Sequence, residues 1–279
     1  MGNERPAPYP AATWRLLIDD PADGATNMAV DEAILAAVVD GLSPPTLRLY
    51  SWSPPCLSLG RNQPLSNVDL VACREMGIDV VRRPTGGRAI LHTDELTYAL
   101  VLLQSDPRAT GDVVESYRRL SEGLLTGLRS LGVAANRAVG QRKGGTDLTA
   151  ICFETPSDYE ITAGGRKLMG SAQWRAKGGV LQHGTLPLHG ALDRIVACLN
   201  LPEVERESQR LCLLQKAITL EEALGQPIPF CQAADAMATG LAKALRLTLV
   251  PGELTAHELA VASELRHNRY SEPDWTGRA

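Results

Sequence analysis

The sequence predicts an α+β (mixed α/β) fold, a single domain built on one sheet. Strand-like runs separated by Pro and Gly turns cluster between residues 47 and 103, and amphipathic helix patterns precede and follow them. The chain has 279 residues with 44% apolar content, which can bury a substantial core, and nothing in it repeats. We therefore expect residues 13–279 to form the domain, preceded by a disordered extension at residues 1–12 that is rich in Pro and Ala.

The first half of the chain carries clear signals for individual elements. Residues 14–18 are strand-like, and a helix is expected from Asn27, as its N-cap, to Asp40, with Gly41 as its stop. Residues 68–76 are also predicted to be helical. A longer helix is predicted over residues 112–131, where apolar side chains recur at helical spacing before Gly132: Val114, Tyr117, Leu120, Leu124, Leu128 and Leu131.

The second half is predicted to be a loop, a few strands and then helices. Residues 136–145 are polar, basic and rich in Gly, which predicts a mobile loop; it ends just before Cys152 and is a candidate lid. From about residue 191 the chain is expected to be helical. Thr219–Glu222 and Thr255–Glu258 have the spacing of capping boxes, and residues 231–245 are amphipathic.

The composition and charge of the chain argue against several classes of function. The net charge is −4 and the basic residues form no block, so nucleic-acid binding is not expected. No apolar run approaches the length of about 20 residues that spans a bilayer, and no export signal is present, which predicts a cytoplasmic protein. Six cysteines without Cys-x-x-Cys spacing argue against a metal site or a disulfide framework. Cys198, Cys212 and Cys231 are expected to fill the core.

Cys152 and Lys167 are the candidate catalytic pair. A thiol becomes a good nucleophile when it loses its proton, and a nearby ammonium favours the thiolate, so the two side chains together indicate acyl chemistry. The local alternatives are a small buried cysteine and a solvated lysine. His92 and His183 offer another route to an activated thiol. The run that contains Lys167 has the glycine spacing of a Walker A loop but lacks the lysine before Ser171, which excludes a P-loop.

A glycine loop upstream is the candidate binding element. Two strand-like runs at residues 78–83 and 89–102 are joined by Pro84, Thr85, Gly86 and Gly87. Paired glycines let the backbone approach a ligand, and the neighbouring Arg82, Arg83 and Arg88 suit an anionic or strongly polar group. A plain hairpin is the alternative interpretation.

These motifs together resemble the biotin/lipoate ligase and acyltransferase superfamily. The likeness runs from about residue 14 to 275 and includes residues 27–33 and 50–54. The closest likeness is to octanoyltransferases of the LipM type. It rests on residues 82–88, His92, residues 95–98, Cys152, residues 165–167, residues 170–173 and residues 182–184.

The stretch around Cys152 indicates the subgroup. ATP-using lipoate ligases resemble this chain in the glycine loop and at Lys167, but they have no cysteine at the matching point and usually show a Gly-Arg-Asn-Asp-like run. Residues 145–152 keep one aspartate and lose the Arg-Asn pair, which favours thioester chemistry. The shorter octanoyltransferases of the B type place the thiol after the lysine, whereas the next cysteine here is Cys198.

The resemblance implies a ligase-like catalytic fold related to the class II aminoacyl-tRNA synthetase core. It implies a monomeric enzyme that needs no cofactor and no metal, and that moves octanoyl from octanoyl-acyl carrier protein to a lysine of a lipoyl domain, such as glycine cleavage H protein or an E2 subunit. Cys152 would carry the acyl group, and Lys167 would stabilise the thiolate and contact the acyl carbonyl. Alternatives are an ATP-dependent lipoate ligase, an amidotransferase between carrier proteins, and a binding module for acylated carriers without turnover.

The resemblance also implies a set of substrate-binding residues. These are Arg82, Arg83, Thr85, Gly86, Gly87, His92, Gly170, Ser171, Ala172, His183 and Gly184. The strands at residues 80–81 and 89–91 are expected to line an apolar tunnel that measures the acyl chain. Since acyl carrier proteins are acidic, a basic patch is expected near the entrance, with Arg61, Arg82, Arg142 and Lys143 as candidates.

Overall fold

The computed structural model describes residues 9–138 and 160–278. Its strands are β1 (Ala12–Ile18), β2 (Thr46–Tyr50), β3 (Cys56–Leu59), β4 (Asp79–Arg82), β5 (Ile90–His92), β6 (Glu95–Leu103), β7 (Ala135–Arg137), β8 (Ile161–Ala163), β9 (Arg166–Ala176), β10 (Gly179–Pro187) and β11 (Leu247–Pro251). Its α-helices are α1 (Gly24–Val39), α2 (Leu70–Glu75), α3 (Val113–Ser130), α4 (Glu203–Lys216), α5 (Leu220–Leu224), α6 (Phe230–Leu245), α7 (Ala256–Leu265) and α8 (Pro273–Thr276). None of these helices is long and apolar enough to cross a membrane.

The strands form two sheets, so the prediction of one sheet is wrong. The large sheet has the order β11-β1-β2-β6-β10-β9-β8-β7, with β1 parallel to both of its neighbours and the other pairs antiparallel. The small sheet has the order β4-β3-β5. Strand β3 therefore separates the two runs that flank the glycine loop, which excludes a hairpin between them.

Helices cover both faces of the large sheet. On one face, α3 and α6 bury an apolar stripe that includes Leu120, Leu124, Met237 and Leu241. On the other face, α1 packs against β6 and β10, and α7 packs outside α1. Because α1 lies between two layers, almost all of its sides are buried, including the polar Asn27 and Asp31. Those two polar side chains reach the site described below.

Helix α3 agrees with its prediction, whereas the start of α1 does not. Asp112 and Glu115 form a capping box at the first turn of α3. Helix α1 is capped by Asp23, whose carboxylate accepts from the backbone N–H of Thr26 at 2.7 Å. Asn27 lies inside the helix, and its amide donates to the carbonyls of Ala22 and Ser51, both at 3.0 Å. The predicted N-cap is therefore a core residue that ties α1 to the chain after β2.

The C-terminal part is not purely helical, because β11 pairs with β1 at the edge of the large sheet. Thr255 and Glu258 form the predicted capping box, and Glu258 also accepts from the buried guanidinium of Arg15 at 2.8 Å. In the pair Thr219 and Glu222, the structure shows the bond from the Glu222 N–H to the Thr219 hydroxyl.

Three smaller expectations need correction. Residues 9–12 do not belong to a disordered extension, because Tyr9 packs on the core and β1 starts at Ala12. The predicted loop 136–145 begins inside β7, and the rest of it from residue 139 lies outside the described residues, together with Arg142 and Lys143. Cys198 is buried as expected, but Cys212 is half-buried and Cys231, in the first turn of α6, is exposed.

Candidate active site

A cavity that is partly open to solvent lies between α1, the large sheet and the small sheet. Its walls come from β2, β3, β5, β6, β9, β10, α1 and the glycine loop, and they are mainly apolar. The cavity is lined by Met28, Tyr50, Trp52, Ser58, Arg83, Gly87, Ile90, His92, Thr97, Gly170, Ser171, Ala172, His183, Gly184 and Thr185. Eight of the predicted substrate-binding residues are among them: Arg83, Gly87, His92, Gly170, Ser171, Ala172, His183 and Gly184.

The residues predicted to line an acyl tunnel agree only in part with those that line the cavity. Of the strand residues expected to line it, Ile90 faces the cavity. Val81 packs near Cys56 in the cluster under α1, while Val80, Ala89 and Leu91 belong, together with Ile90, to the separate core cluster of the small sheet and do not line the cavity. Alternation along a strand sends neighbouring side chains to opposite faces, so consecutive residues of β4 and β5 could not all have lined one tunnel.

Hydrogen bonds from Arg83 fix the conformation of the glycine loop. Its guanidinium donates to the carbonyls of Ser58 at 2.9 Å, Gly86 at 3.0 Å and Arg88 at 2.7 Å. Gly87 has φ +98°, a left-handed conformation that favours glycine, and it lines the cavity. Gly86 is exposed, and a Cβ at that position would meet nothing within 4 Å. The two glycines are therefore not equivalent.

Arg82 does not line the cavity, contrary to its prediction as a substrate-binding residue. Its side chain is buried and donates to the carbonyls of Gly60 at 2.8 Å, Gln63 at 2.7 Å and Thr276 at 2.7 Å. It therefore fastens the C-terminal segment to the chain after β3. The same burial removes Arg82 from the predicted basic patch.

His92 belongs to a hydrogen-bonded chain in the cavity wall. Its Nε2 lies 2.7 Å from the Ser58 hydroxyl, and its Nδ1 lies 2.7 Å from the Glu95 carboxylate. Arg83 also donates to the Ser58 hydroxyl at 3.0 Å. The Ser58 hydroxyl can then give its own proton to Nε2, which leaves Nδ1–H to donate to Glu95. The imidazole stacks on Trp52 with ring centres 4.0 Å apart.

His183 forms a second chain of the same kind. Its Nε2 lies 2.8 Å from the Thr85 hydroxyl, and its Nδ1 lies 3.2 Å from the Asp31 carboxylate. Asp31 is fully buried and also accepts from Arg48 at 2.8 Å and from Tyr50 at 2.9 Å. Burial alone would raise the pKa of Asp31, but the hydrogen bond from His183 and the charge of Arg48 outweigh burial and lower it. Thr85, which does not line the cavity, thus anchors the glycine loop to β10.

Both ring nitrogens of each histidine are occupied by these partners. A histidine that served as general base for Cys152 would first have to give up its serine or threonine hydroxyl. The geometry therefore favours a positioning role for His92 and His183 over a Cys-His pair.

Burial lowers the pKa of His183, and the interactions with Asp31 oppose that shift only in part. In the unfolded chain this imidazole takes up a proton near pH 6.5, whereas in the folded protein it does so only at lower pH. Stability should therefore fall as the pH drops below about 6.5, with a slope from this group of at most about 1.4 kcal/mol per pH unit.

Urea unfolding of wild type and His183→Gln between pH 5 and pH 8 measures this contribution. The variant should show the shallower slope, and the exposed His189→Gln should keep the wild-type slope. Equal slopes in all three proteins would show that His183 titrates as it does in the unfolded chain.

Lys167 lies on β9, fully buried, and its ammonium forms an ion pair with Glu160. Its backbone carbonyl accepts from Ile218 at 3.0 Å, which fixes this part of the strand. Cys152 lies outside the described residues, so the structure does not test the predicted pair of Cys152 and Lys167. Glu160 was not predicted, and it gives Lys167 a carboxylate partner.

Three other carboxylates or hydroxyls of the site were also missed by sequence reasoning. Asp31 and Asn27 are four residues apart, on one face of a helix that is otherwise almost wholly apolar, which is a signal for buried polar contacts. Glu95 follows His92 by three residues. Ser58 has no local signal, because its role depends on the pairing of β3 with β5.

The fold and this cavity define a catalytic domain of the lipoyl protein ligase A/B kind. Residues 23–242 match the family model of the lipoyl protein ligase A/B catalytic domain, and the chain belongs to that family. The predicted resemblance and the ligase-like fold are thereby confirmed.

Individual members of the family are similar to this chain along almost its whole length. The octanoyltransferase LipM of Moorella thermoacetica is 46% identical over 274 residues, which cover 96% of this chain and 99% of that protein. The octanoyltransferase LipM of Kyrpidia tusciae is 43% identical and covers 95% of this chain and 99% of that protein. The chain is therefore an enzyme, as the resemblance implied.

Solved structures of lipoate protein ligases superimpose on this fold. A bipartite lipoate protein ligase from Thermoplasma acidophilum superimposes with a TM-score of 0.82 at 25% identity, covering 96% of this chain and 98% of that chain. A lipoate-protein ligase A bound with ATP gives a TM-score of 0.79 at 26% identity, covering 96% and 100%.

Proposed function

We propose that this chain moves an octanoyl group from octanoyl-acyl carrier protein to a lysine of a lipoyl domain, through a thioester on Cys152. The observation that carries the proposal is the 46% identity to an octanoyltransferase LipM along almost the whole of both chains. The acceptor would be glycine cleavage H protein or an E2 subunit, and the enzyme would act as a monomer.

The cavity suits an acyl chain. Met28, Tyr50, Trp52 and Ile90 give it apolar walls, and the two histidine chains hold those walls in place. Each buried CH₂ contributes about 0.8 kcal/mol, so the preference for chain length should increase step by step until the chain meets the end of the cavity.

The reaction would proceed in two transfers. The Cys152 thiolate attacks the thioester carbonyl, a new carbon–sulfur bond forms, and the thiolate of the carrier leaves and takes up a proton. The acceptor lysine, as a neutral amine, then attacks the enzyme thioester; the amide forms, Cys152 leaves as thiolate, and the amine proton passes to a base. Lys167 would stabilise the Cys152 thiolate and donate to the acyl carbonyl.

Intact-mass analysis after mixing with octanoyl-acyl carrier protein tests the proposal. An octanoyl adduct that maps to Cys152 and then passes to a lipoyl domain without ATP is the expected result. A protein that never carries the adduct while it modifies the lipoyl domain would contradict the covalent route.

An ATP-dependent ligase is the second candidate, favoured by the similarity to a lipoate-protein ligase A bound with ATP. Exchange of pyrophosphate into ATP in the presence of octanoate or lipoate would support it. An amidotransferase would instead take its acyl group from an octanoylated lipoyl domain, and the same mass analysis with that donor separates the two transferases.

Gly87→Val should weaken acyl loading much more than it lowers the melting temperature. The new Cβ would lie 2.8 Å from Nη2 of Arg83 and would push the loop at the cavity. We expect loading to slow by roughly tenfold or more, while strain of about 1–3 kcal/mol lowers the melting temperature by a few degrees.

Gly86→Val is the matched control, because its Cβ would meet open space. Loading rates by mass and melting by circular dichroism measure both variants. Equal loss of stability and of loading in Gly87→Val would mean that this glycine serves only the turn.

A further inference from the structure

A second concavity, open to solvent, lies along the half-exposed side of α1. Its walls are α1, the end of the β9–β10 hairpin, the glycine loop and the C-terminal segment. Two half-exposed tryptophans, Trp174 and Trp275, face it. We call this feature the α1 groove.

The α1 groove and the active-site cavity follow one another along the same elements. On α1, Met28 lines the cavity, and Glu32, Ala36 and Val39 line the groove, at helical spacing along one face. On β9, Gly170 and Ala172 line the cavity, and Trp174 and Ala176, on the same face of the strand, line the groove. In the glycine loop, Gly87 faces the cavity and Pro84 faces the groove. From Met28 to Val39 the path is about 16 Å long, at 1.5 Å per helical residue.

The groove is positive, although the whole chain is negative. Its lining contains four cations, Arg61, Lys177, Arg269 and Arg278, and two anions, Glu32 and Asp40. The Arg269 guanidinium is used within the protein, since it pairs with Glu32 at 2.5 Å and lies over the ring of Trp275. Arg61, Lys177 and Arg278 are exposed. A net charge of +2 on this surface, in a chain of net charge −4, favours a negatively charged partner.

We propose that the α1 groove docks the acidic face of the carrier protein that delivers the acyl thioester. The inference rests on the function proposed above and names the docking surface of the donor. A path of about 16 Å suits a donor whose acyl group is carried on a long flexible arm, because the arm can run along α1 while the folded carrier stays on the positive rim. The side chain of an acceptor lysine is too short to follow that path from a domain docked at the same place.

Charge reversal at the rim tests the proposal. The variant Arg61→Glu with Lys177→Glu changes two exposed side chains outside the cavity. Its matched control is Lys216→Glu with Lys243→Glu, two exposed lysines on α4 and α6 that do not line the groove. Loading of wild type and both variants is measured with octanoyl-acyl carrier protein and with octanoyl-pantetheine, which has the thioester but no protein.

We expect the groove variant to raise KM for the carrier donor by roughly tenfold or more, with kcat and loading from octanoyl-pantetheine unchanged. Added salt should raise the wild-type KM for the carrier and not that for octanoyl-pantetheine. The control variant should match wild type with both donors.

Three results would overturn the proposal. An unchanged carrier KM in the groove variant would show that the donor docks elsewhere. A raised KM for the lipoyl domain with an unchanged carrier KM would assign the groove to the acceptor. A wild-type protein that forms no adduct from either donor would refute the proposed function itself and this inference with it.

Discussion

Cys152→Ala should fold normally and lose octanoyl transfer by roughly three orders of magnitude or more, because no cysteine in residues 9–138 and 160–278 is placed to replace the nucleophile. Cys56, Cys73 and Cys198 are buried in the core. Cys212 is half-buried on α4 and does not line the cavity, and Cys231 is exposed on α6, on the face of the large sheet opposite the cavity. The measurement is the rate at which a lipoyl domain gains an octanoyl mass, with the adduct on the enzyme followed in parallel.

Cys231→Ala is the matched control, since it removes an accessible thiol that should have no part in the reaction. It should retain wild-type transfer. Near-normal transfer by Cys152→Ala would exclude the covalent mechanism on Cys152. Loss of transfer in Cys231→Ala would indicate that Cys231 on α6 is the nucleophile.

Lys167→Ala is the second change with a large expected effect, and the structure alters how it must be tested. The ammonium of Lys167 is fully buried with Glu160 as a partner. Removing one member of a buried ion pair costs about 3–5 kcal/mol of stability, so the single variant would mix a loss of stability with a loss of chemistry. Lys167→Met with Glu160→Gln removes both charges and keeps most of the volume.

If the Lys167 ammonium acts on the Cys152 thiolate more strongly than the Glu160 carboxylate removed with it, the pH midpoint of Cys152 alkylation in that double variant should move upward, toward about 8.5. Iodoacetamide labelling followed by mass, in a background with Cys212→Ala and Cys231→Ala, isolates the Cys152 signal from the two other cysteines that are not buried. Acyl loading should fall together with the thiolate fraction at neutral pH. If the midpoint stays in place, Lys167 does not activate the thiol.

Lys167→Arg separates two roles of the lysine. It keeps the positive charge in a group that cannot lose its proton. If Lys167 only stabilises the thiolate, the arginine variant should load and transfer octanoyl; if Lys167 also accepts the proton of the acceptor lysine, the variant should load and then stall. A variant that is unfolded by circular dichroism would show that the larger side chain does not fit this buried position.

Elements with strong local signals were predicted well from the sequence. Helix α3 has a capping box at Asp112 and an apolar stripe at helical spacing, and both are properties of neighbouring residues. Strand β11 was missed because five residues between helices carry little signal of their own. Its partner β1 lies more than 200 residues earlier in the chain, and such pairing depends on tertiary contacts.

In the functional site, too, some features were predicted from local sequence and others depend on tertiary contacts. The motifs that carry the family resemblance located the glycine loop, His92, residues 170–172 and residues 183–184, and eight of those residues line one cavity. Which way a side chain points was not predicted. Arg82 and Arg83 are adjacent, yet Arg83 faces the cavity and Arg82 binds the C-terminal segment, since successive residues of an extended chain point to opposite sides.

The sequence by itself determined the family, the mixed α/β class, the main helices and the motif residues, because each of these depends on residue order and local spacing. Only the tertiary structure decided the partners of those residues: Ser58 and Glu95 for His92, Thr85 and Asp31 for His183, and Glu160 for Lys167. Buried polar groups must find hydrogen-bond partners when water is excluded. Those partners come from whichever strands and helices the fold brings together, so they cannot be read from any single segment.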